Sequence, residues 1–161
     1  MTRLHVPIGL RWSDLDAYGH VNNASLLTLL EESRISVFWS TDELKVEGVH
    51  DSSIAPSEGR SMGDTLTLIA RQEVEYLAPI PYVREPLDVQ MWIGRLGGAS
   101  LEVCYEVCSP HHAEPFVVYA RASSAIVLVE AETMRPRRIT DRERAAWSLY
   151  LDDPVVFTKR N

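Results

Sequence analysis

The residues best suited to chemistry lie in one stretch, Arg11 to Leu30, which reads RWSDLDAYGHVNNASLLTLL. Asp14, Asp16, Gly19 and His20 form an acidic turn, and Asn22, Asn23 and Ala24 open an apolar segment that reads as a helix. A carboxylate can attack a carbonyl carbon or take a proton from water. The first N–H groups of a helix lack intrahelical partners and carry the positive end of its macrodipole, so they can hold a developing oxyanion. Asp16 is therefore read as nucleophile or general base, and the N–H groups of Asn22, Asn23 and Ala24 as oxyanion donors. Gly19 permits close approach of the backbone to a substrate, or a positive φ. His20 could polarise a carbonyl or orient water, while Asp14 reads as structural. Asp14, Asp16 and His20 match no familiar metal-ligand spacing, so no metal and no cofactor is expected.

Positioning these groups requires a strand before the turn and a helix after it. Leu4, Val6, Ile8, Leu10 and Trp12 fall on alternate positions, which predicts a half-buried strand over 4–12. Asn22 is a natural N-cap, and no Pro or Gly interrupts a helix from Asn23 to about Ser40. At about 100° per residue, Leu26, Leu27, Leu30, Val37 and Phe38 share one wide face. Ser25, Thr28, Glu32 and Ser36 take the other, with Glu31 at the apolar edge. Thr41 to Gly63 has no sustained period and reads as a long mobile loop able to cover a pocket. Four alternating stretches follow, Thr65–Leu77, Pro86–Gly94, Ala99–Cys108 and Pro115–Glu130. They are predicted as an antiparallel meander with a tight turn at Gly97-Gly98 and a second at 110–115. Thr140 and Glu143 form a capping-box signature for a short helix to about Leu151, beyond which Pro154 stops it. A lone helix that is apolar over more than half its circumference needs something wrapped around it. One curved antiparallel sheet can do that, which gives an α+β fold of about five strands around a central helix.

The bulk properties exclude several classes. A chain of 161 residues with 45% hydrophobic content suits one domain, 1–161, with a full core. A net charge of -7 argues against sequence-independent nucleic-acid binding, which needs clustered cations. Only Arg135, Arg137 and Arg138 cluster, and with Arg95 they are candidates for meeting phosphates. No segment is apolar for long enough to be a signal or a membrane span, so a soluble cytoplasmic protein with no membrane partner is expected. Cys104 and Cys108 sit four apart in a strand-like segment, about 13 Å along it and beyond disulfide reach. They read as reduced, inert thiols.

The order of elements, with Asp16-Ala17-Tyr18-Gly19-His20-Val21-Asn22-Asn23, Glu31-Glu32-Ser33-Arg34 and Val74-Glu75-Tyr76-Leu77-Ala78-Pro79-Ile80, resembles hot-dog fold thioesterases. Asp16, Gly19, Val21, Glu31 and Arg34 fall on the Asp-x-x-Gly-x-Val and Glu-x-x-Arg positions of 4-hydroxybenzoyl-CoA and related acyl-CoA thioesterases. The string is also similar to acyl-ACP thioesterases, whose matching Asp and His are implicated in catalysis and which have Asn where this chain has Tyr18. The resemblance covers about residues 3–131, with the predicted helix at about 141–151 appended. It implies hydrolysis of an acyl-CoA or acyl-ACP thioester to free acid and thiol. It makes Glu31 a candidate to orient water or a catalytic partner from across a cleft. It also implies a homodimer or homotetramer, with sheets joined edge to edge and each cleft shared. Two other readings fit the same fold: a non-catalytic acyl-thioester sensor, and an enoyl-thioester hydratase, whose Asp-to-His motif is one residue longer than the one here. The acyl group and its carrier are left open by the sequence.

Overall fold

A computed structural model describes residues 2–38 and 64–158. The loop predicted over 41–63 and the last two positions of the predicted long helix lie outside the described residues. Strand β1 (Leu4–Ile8) leads through a 3-10 turn (Trp12–Asp14) to helix α1 (Asn23–Phe38). Strands β2 (Thr65–Tyr76), β3 (Leu87–Leu96), β4 (Ser100–Cys108) and β5 (Val118–Glu130) follow, and helix α2 (Asp141–Ser148) comes last. The five strands make one sheet in the order β1-β3-β4-β5-β2, with every pairing antiparallel. The α+β reading therefore holds, with one correction to the meander. Only β3, β4 and β5 run consecutively, while β2 lies at the far edge beside β5.

Alternation places Leu87, Val89, Met91 and Ile93 of β3 in the core with Leu101, Val103, Tyr105 and Val107 of β4. In β5 the inward positions Ala120, Ala122 and Ser124 are small and pair with Val107, Tyr105 and Val103. Bulky residues on one strand thus face small ones on the next, which leaves room for Leu26, Leu29, Leu30, Val37 and Phe38 of α1. The predicted helix face needs one change: Leu29 is buried, whereas Leu27 is exposed.

Arg34 turns inward from α1: its guanidinium is buried and donates from Nη1 to Tyr105 Oη at 3.2 Å. Burial pushes the Tyr105 hydroxyl up to about 12, so it accepts this bond as a neutral phenol. The two thiols lie buried on the outward-facing positions of β4, raised mainly by burial to about 11 for Cys104 and about 12 for Cys108. They carry no thiolate at neutral pH.

The segment after α2 crosses the outer face of the sheet. Ile93 donates to Tyr150 O at 2.9 Å and accepts from Asp152 N at 3.0 Å, at the point where β1 has run out as a neighbour of β3. Trp92 Nε1 donates to Asp153 O at 2.8 Å, and Thr158 N donates to Glu75 Oε1 at 3.1 Å. Gly94 forms the bulge in β3 beneath this strap, where a Cβ would stand 2.7 Å from Cys104 Sγ and 3.1 Å from Pro154 Cα. Gly94→Ala should therefore destabilise the fold by about 1–3 kcal/mol. It should also open the strap to limited proteolysis, and wild-type protection together with wild-type stability would contradict this.

Candidate active site

The turn is held from both sides by Asp14. Its carboxylate, 2% exposed, accepts from Arg11 N at 2.7 Å and from Arg11 Nη2 at 3.0 Å, which curls the chain out of β1. This bond ends the strand at Ile8, so the alternation through Leu10 and Trp12 is not strand. The Asp14 carbonyl accepts from Asn22 N at 2.7 Å, which fixes the start of α1. Leu15 and Val21 pair across the base, Val21 N donates to Ile80 O at 2.9 Å, and His20 bridges to Pro81.

Inside that frame Asp16 and His20 close a small hairpin. Asp16 N donates to His20 O at 2.7 Å, and Gly19 N donates to Asp16 O at 3.2 Å. Gly19 has φ +77°, the left-handed position of a three-residue hairpin loop, and the space beside it is open. Asp16 Oδ1 accepts from Tyr18 N at 2.8 Å and His20 N at 3.1 Å. Oδ2 has no hydrogen-bond partner among the described residues. One oxygen of the half-buried carboxylate is thus locked, and the other is available.

The helix start is less open than its sequence implies. Asn22 caps it as expected, with Oδ1 accepting from Ala24 N at 2.8 Å, so the Ala24 N–H is occupied. The Asn22 N–H is occupied by Asp14 O. Of the three proposed donors, only Asn23 N–H lacks a partner among the described residues. The His20 imidazole is half-buried and likewise unpartnered among them. Glu31 is exposed on α1 beside Leu27 and Ile35, and no hydrogen bond or ion pair joins it to Asp16 or His20.

Aromatic rings flank the turn in a way that the sequence reading missed. Trp12 stacks on Tyr82 with centroids 4.5 Å apart and an interplanar angle of 16°, although Trp12 is 75% exposed. Tyr18 is also exposed, and Tyr76 Oη reaches Asn23 O at 3.4 Å from the end of β2. These pairings join residues far apart in sequence, so no local spacing could reveal them. The Arg cluster requires a correction: Arg137 pairs with Glu143 at 2.6 Å and is not a free phosphate ligand. Arg135 and Arg138 remain exposed, and Arg95 lies 3.5 Å from Glu102.

Burial alone would raise the Asp14 and Glu143 carboxyls, but hydrogen bonds from Arg11 and Arg137 outweigh it, so both sit below the ordinary range. The folded state then holds its protons less tightly than the unfolded chain does. The stabilisation is complete above the unfolded value near pH 4 and is lost as pH falls through the lower folded values. We expect Tm to be level from about pH 7 to 5 and to fall below about pH 4. The fall should be shallower in Glu143→Gln, and a Tm that rises on acidification would refute the assignment.

A long helix cradled by one curved antiparallel sheet, with an Asp-bearing turn at the helix start, is the hot-dog architecture of thioesterases. The sequence model of the thioesterase-like superfamily matches residues 10–147, and the chain belongs to that superfamily. A thioesterase from Thermus thermophilus, solved in complex with coenzyme A and Zn, is 26% identical. That match covers 91% of this chain and 93% of that one, with a TM-score of 0.64. Slr0204, a 1,4-dihydroxy-2-naphthoyl-CoA thioesterase from Synechocystis, shares the fold at 17% identity and TM-score 0.67, covering 91% and 96%. YsmA of Bacillus subtilis (strain 168) is 29% identical over 99 residues, which is 61% of this chain and 56% of YsmA.

Proposed function

We propose that this protein hydrolyses an acyl-CoA thioester to free acid and thiol, with Asp16 as the reacting carboxylate. The observation that carries the reading is the asymmetric Asp16 carboxylate: Oδ1 is held by two backbone N–H groups, and Oδ2 has no partner among the described residues, in the turn that leads into α1. As nucleophile, Oδ2 bonds to the carbonyl carbon, the thiolate leaves, and water then cleaves the mixed anhydride. As base, Oδ2 takes a proton from the water that attacks. In either course the carbonyl oxygen gains charge and is met by the Asn23 N–H at the positive end of the helix. Gly19 leaves the approach open. His20 polarises the carbonyl or orients water.

The coenzyme A in the Thermus thermophilus relative supports CoA as the carrier, with acyl-ACP the alternative. A second copy would cover the exposed Leu27, Glu31 and Ile35 face of α1, and so bring Glu31 to the partner's cleft as an orienting group. The exposed edge of β2, with Leu68 and Ile69, fits the same homodimeric or tetrameric assembly. No helix among the described residues is long and apolar enough to cross a membrane, which is in keeping with a cytoplasmic enzyme. The test is thiol release from a panel of acyl-CoAs and from acyl-ACP. Turnover of at least one supports the reading, whereas saturable binding without release would make the protein an acyl-thioester sensor.

A further inference from the structure

We propose that His5, Asp88 and His111 form a site for one divalent transition-metal ion of the zinc type, on the face of the sheet turned away from α1. Asp88 lies on an outward position of β3 and is only 6% exposed, yet no Arg or Lys pairs with it among the described residues. Its carboxylate oxygens stand 3.1 and 3.0 Å from His5 Nδ1, and Oδ2 stands 3.8 Å from His111 Nδ1. All three donor groups have ligand atoms within 4.8 Å of one another. Tetrahedral zinc, with bonds of about 2.0–2.2 Å, places neighbouring ligand atoms about 3.3 Å apart. The Asp88–His5 and Asp88–His111 separations, 3.0 and 3.8 Å, bracket that value, and the imidazole nitrogens lie within 4.8 Å of each other, so closure on an ion draws the two rings together by at most about 1.5 Å.

The donor set is chemically apt. Two imidazole nitrogens and one carboxylate suit zinc and leave a fourth position for water. Gln90 Nε2 donates to Asp88 Oδ2 at 3.2 Å and so orients the carboxylate. His111 is 66% exposed, yet it turns Nδ1 toward Asp88 and sets its ring edge-on to His5 at 5.5 Å. The ligands come from β1, β3 and the turn between β4 and β5, so no sequence motif announces them. A bound ion would tie the five-residue edge strand β1 to its neighbours. The rival account is ion pairing of Asp88 with both imidazoles and no metal, and it predicts no stoichiometric binding of the ion.

The full chain, stripped with a chelator and dialysed, should be titrated with Zn²⁺ by calorimetry and with Co²⁺ by visible absorption, with Tm measured at each stage. Wild type should bind one equivalent and gain several degrees in Tm, since an ion that binds only the folded state stabilises it. His111→Ala, which removes an exposed side chain, should fold normally and lose both the equivalent and the Tm gain. His5→Gln should do the same, and Gln90→Ala should bind about 10-fold more weakly. Absence of a tight equivalent in wild type overturns the proposal, as does an equivalent that survives in the His5→Gln, His111→Ala double variant.

Discussion

An Asp16→Asn variant is expected to fold as the wild type does and to lose thioester hydrolysis by about 10²–10⁴-fold, mostly in kcat. Folding should survive because the role of Oδ1 is conserved. The asparagine carbonyl can accept the same bonds from Tyr18 N and His20 N, so the hairpin keeps its closing contacts. What changes is the second atom, where an amide that cannot attack or accept a proton replaces a free carboxylate oxygen. Uniform loss of substrate binding would raise KM with little change in kcat, and would place Asp16 among the positioning groups. Undiminished turnover would remove it from the chemistry altogether. His20→Ala separates the imidazole from the backbone, because the closing bonds use only main-chain atoms of His20. A fall smaller than that of Asp16→Asn is therefore expected.

Trp147→Ala is expected to cost about 3–5 kcal/mol, a large part of the stability of a domain of this size. Trp147 is fully buried on α2 and meets Phe38 edge-on at 6.3 Å, where α1 reaches its last described turn. Its removal would leave a cavity under the end of the helix whose start carries the site. A Tm lower by about 10 °C, read by calorimetry or circular dichroism, is the expected outcome. A loss under about 1 kcal/mol would show that α2 merely rests on the core without contributing to it.

Local signals carried much of this architecture. Asn22 caps α1, Thr140 and Glu143 exchange the two bonds of a capping box, and the Gly97-Gly98 turn closes β3 onto β4. Each depends on residues a few positions apart, which a sequence displays directly. Wherever a distant group decided the outcome, the sequence was a poorer guide. Arg34 sits one helical turn after Glu31, but it is drawn inward by Tyr105, 71 residues away. β2 pairs with β5 because the sheet closes that way, and nothing in the alternation of β2 names its partner. The Asp16 turn was legible because its Asp, Gly and His serve a single loop. Which helix N–H stays free was not, since Asn22 satisfies one donor with its side chain and its own N–H through Asp14.

The two oxygens of Asp16 are chemically distinguishable, and that gives the turn an isotopic signature. Rotation of the carboxylate would break both bonds to Oδ1, so the oxygens should not exchange places within a turnover. If Asp16 attacks the thioester and water opens the anhydride at the carboxylate carbon, one turnover in heavy-oxygen water marks the enzyme at Oδ2 alone. If Asp16 acts as a base, the label passes entirely to the released acid. Label on the side chain therefore identifies Asp16 as the nucleophile, whereas label in the acid alone is common to the base and to an anhydride opened at the acyl carbon. The lock on Oδ1 decides only which oxygen carries the mark.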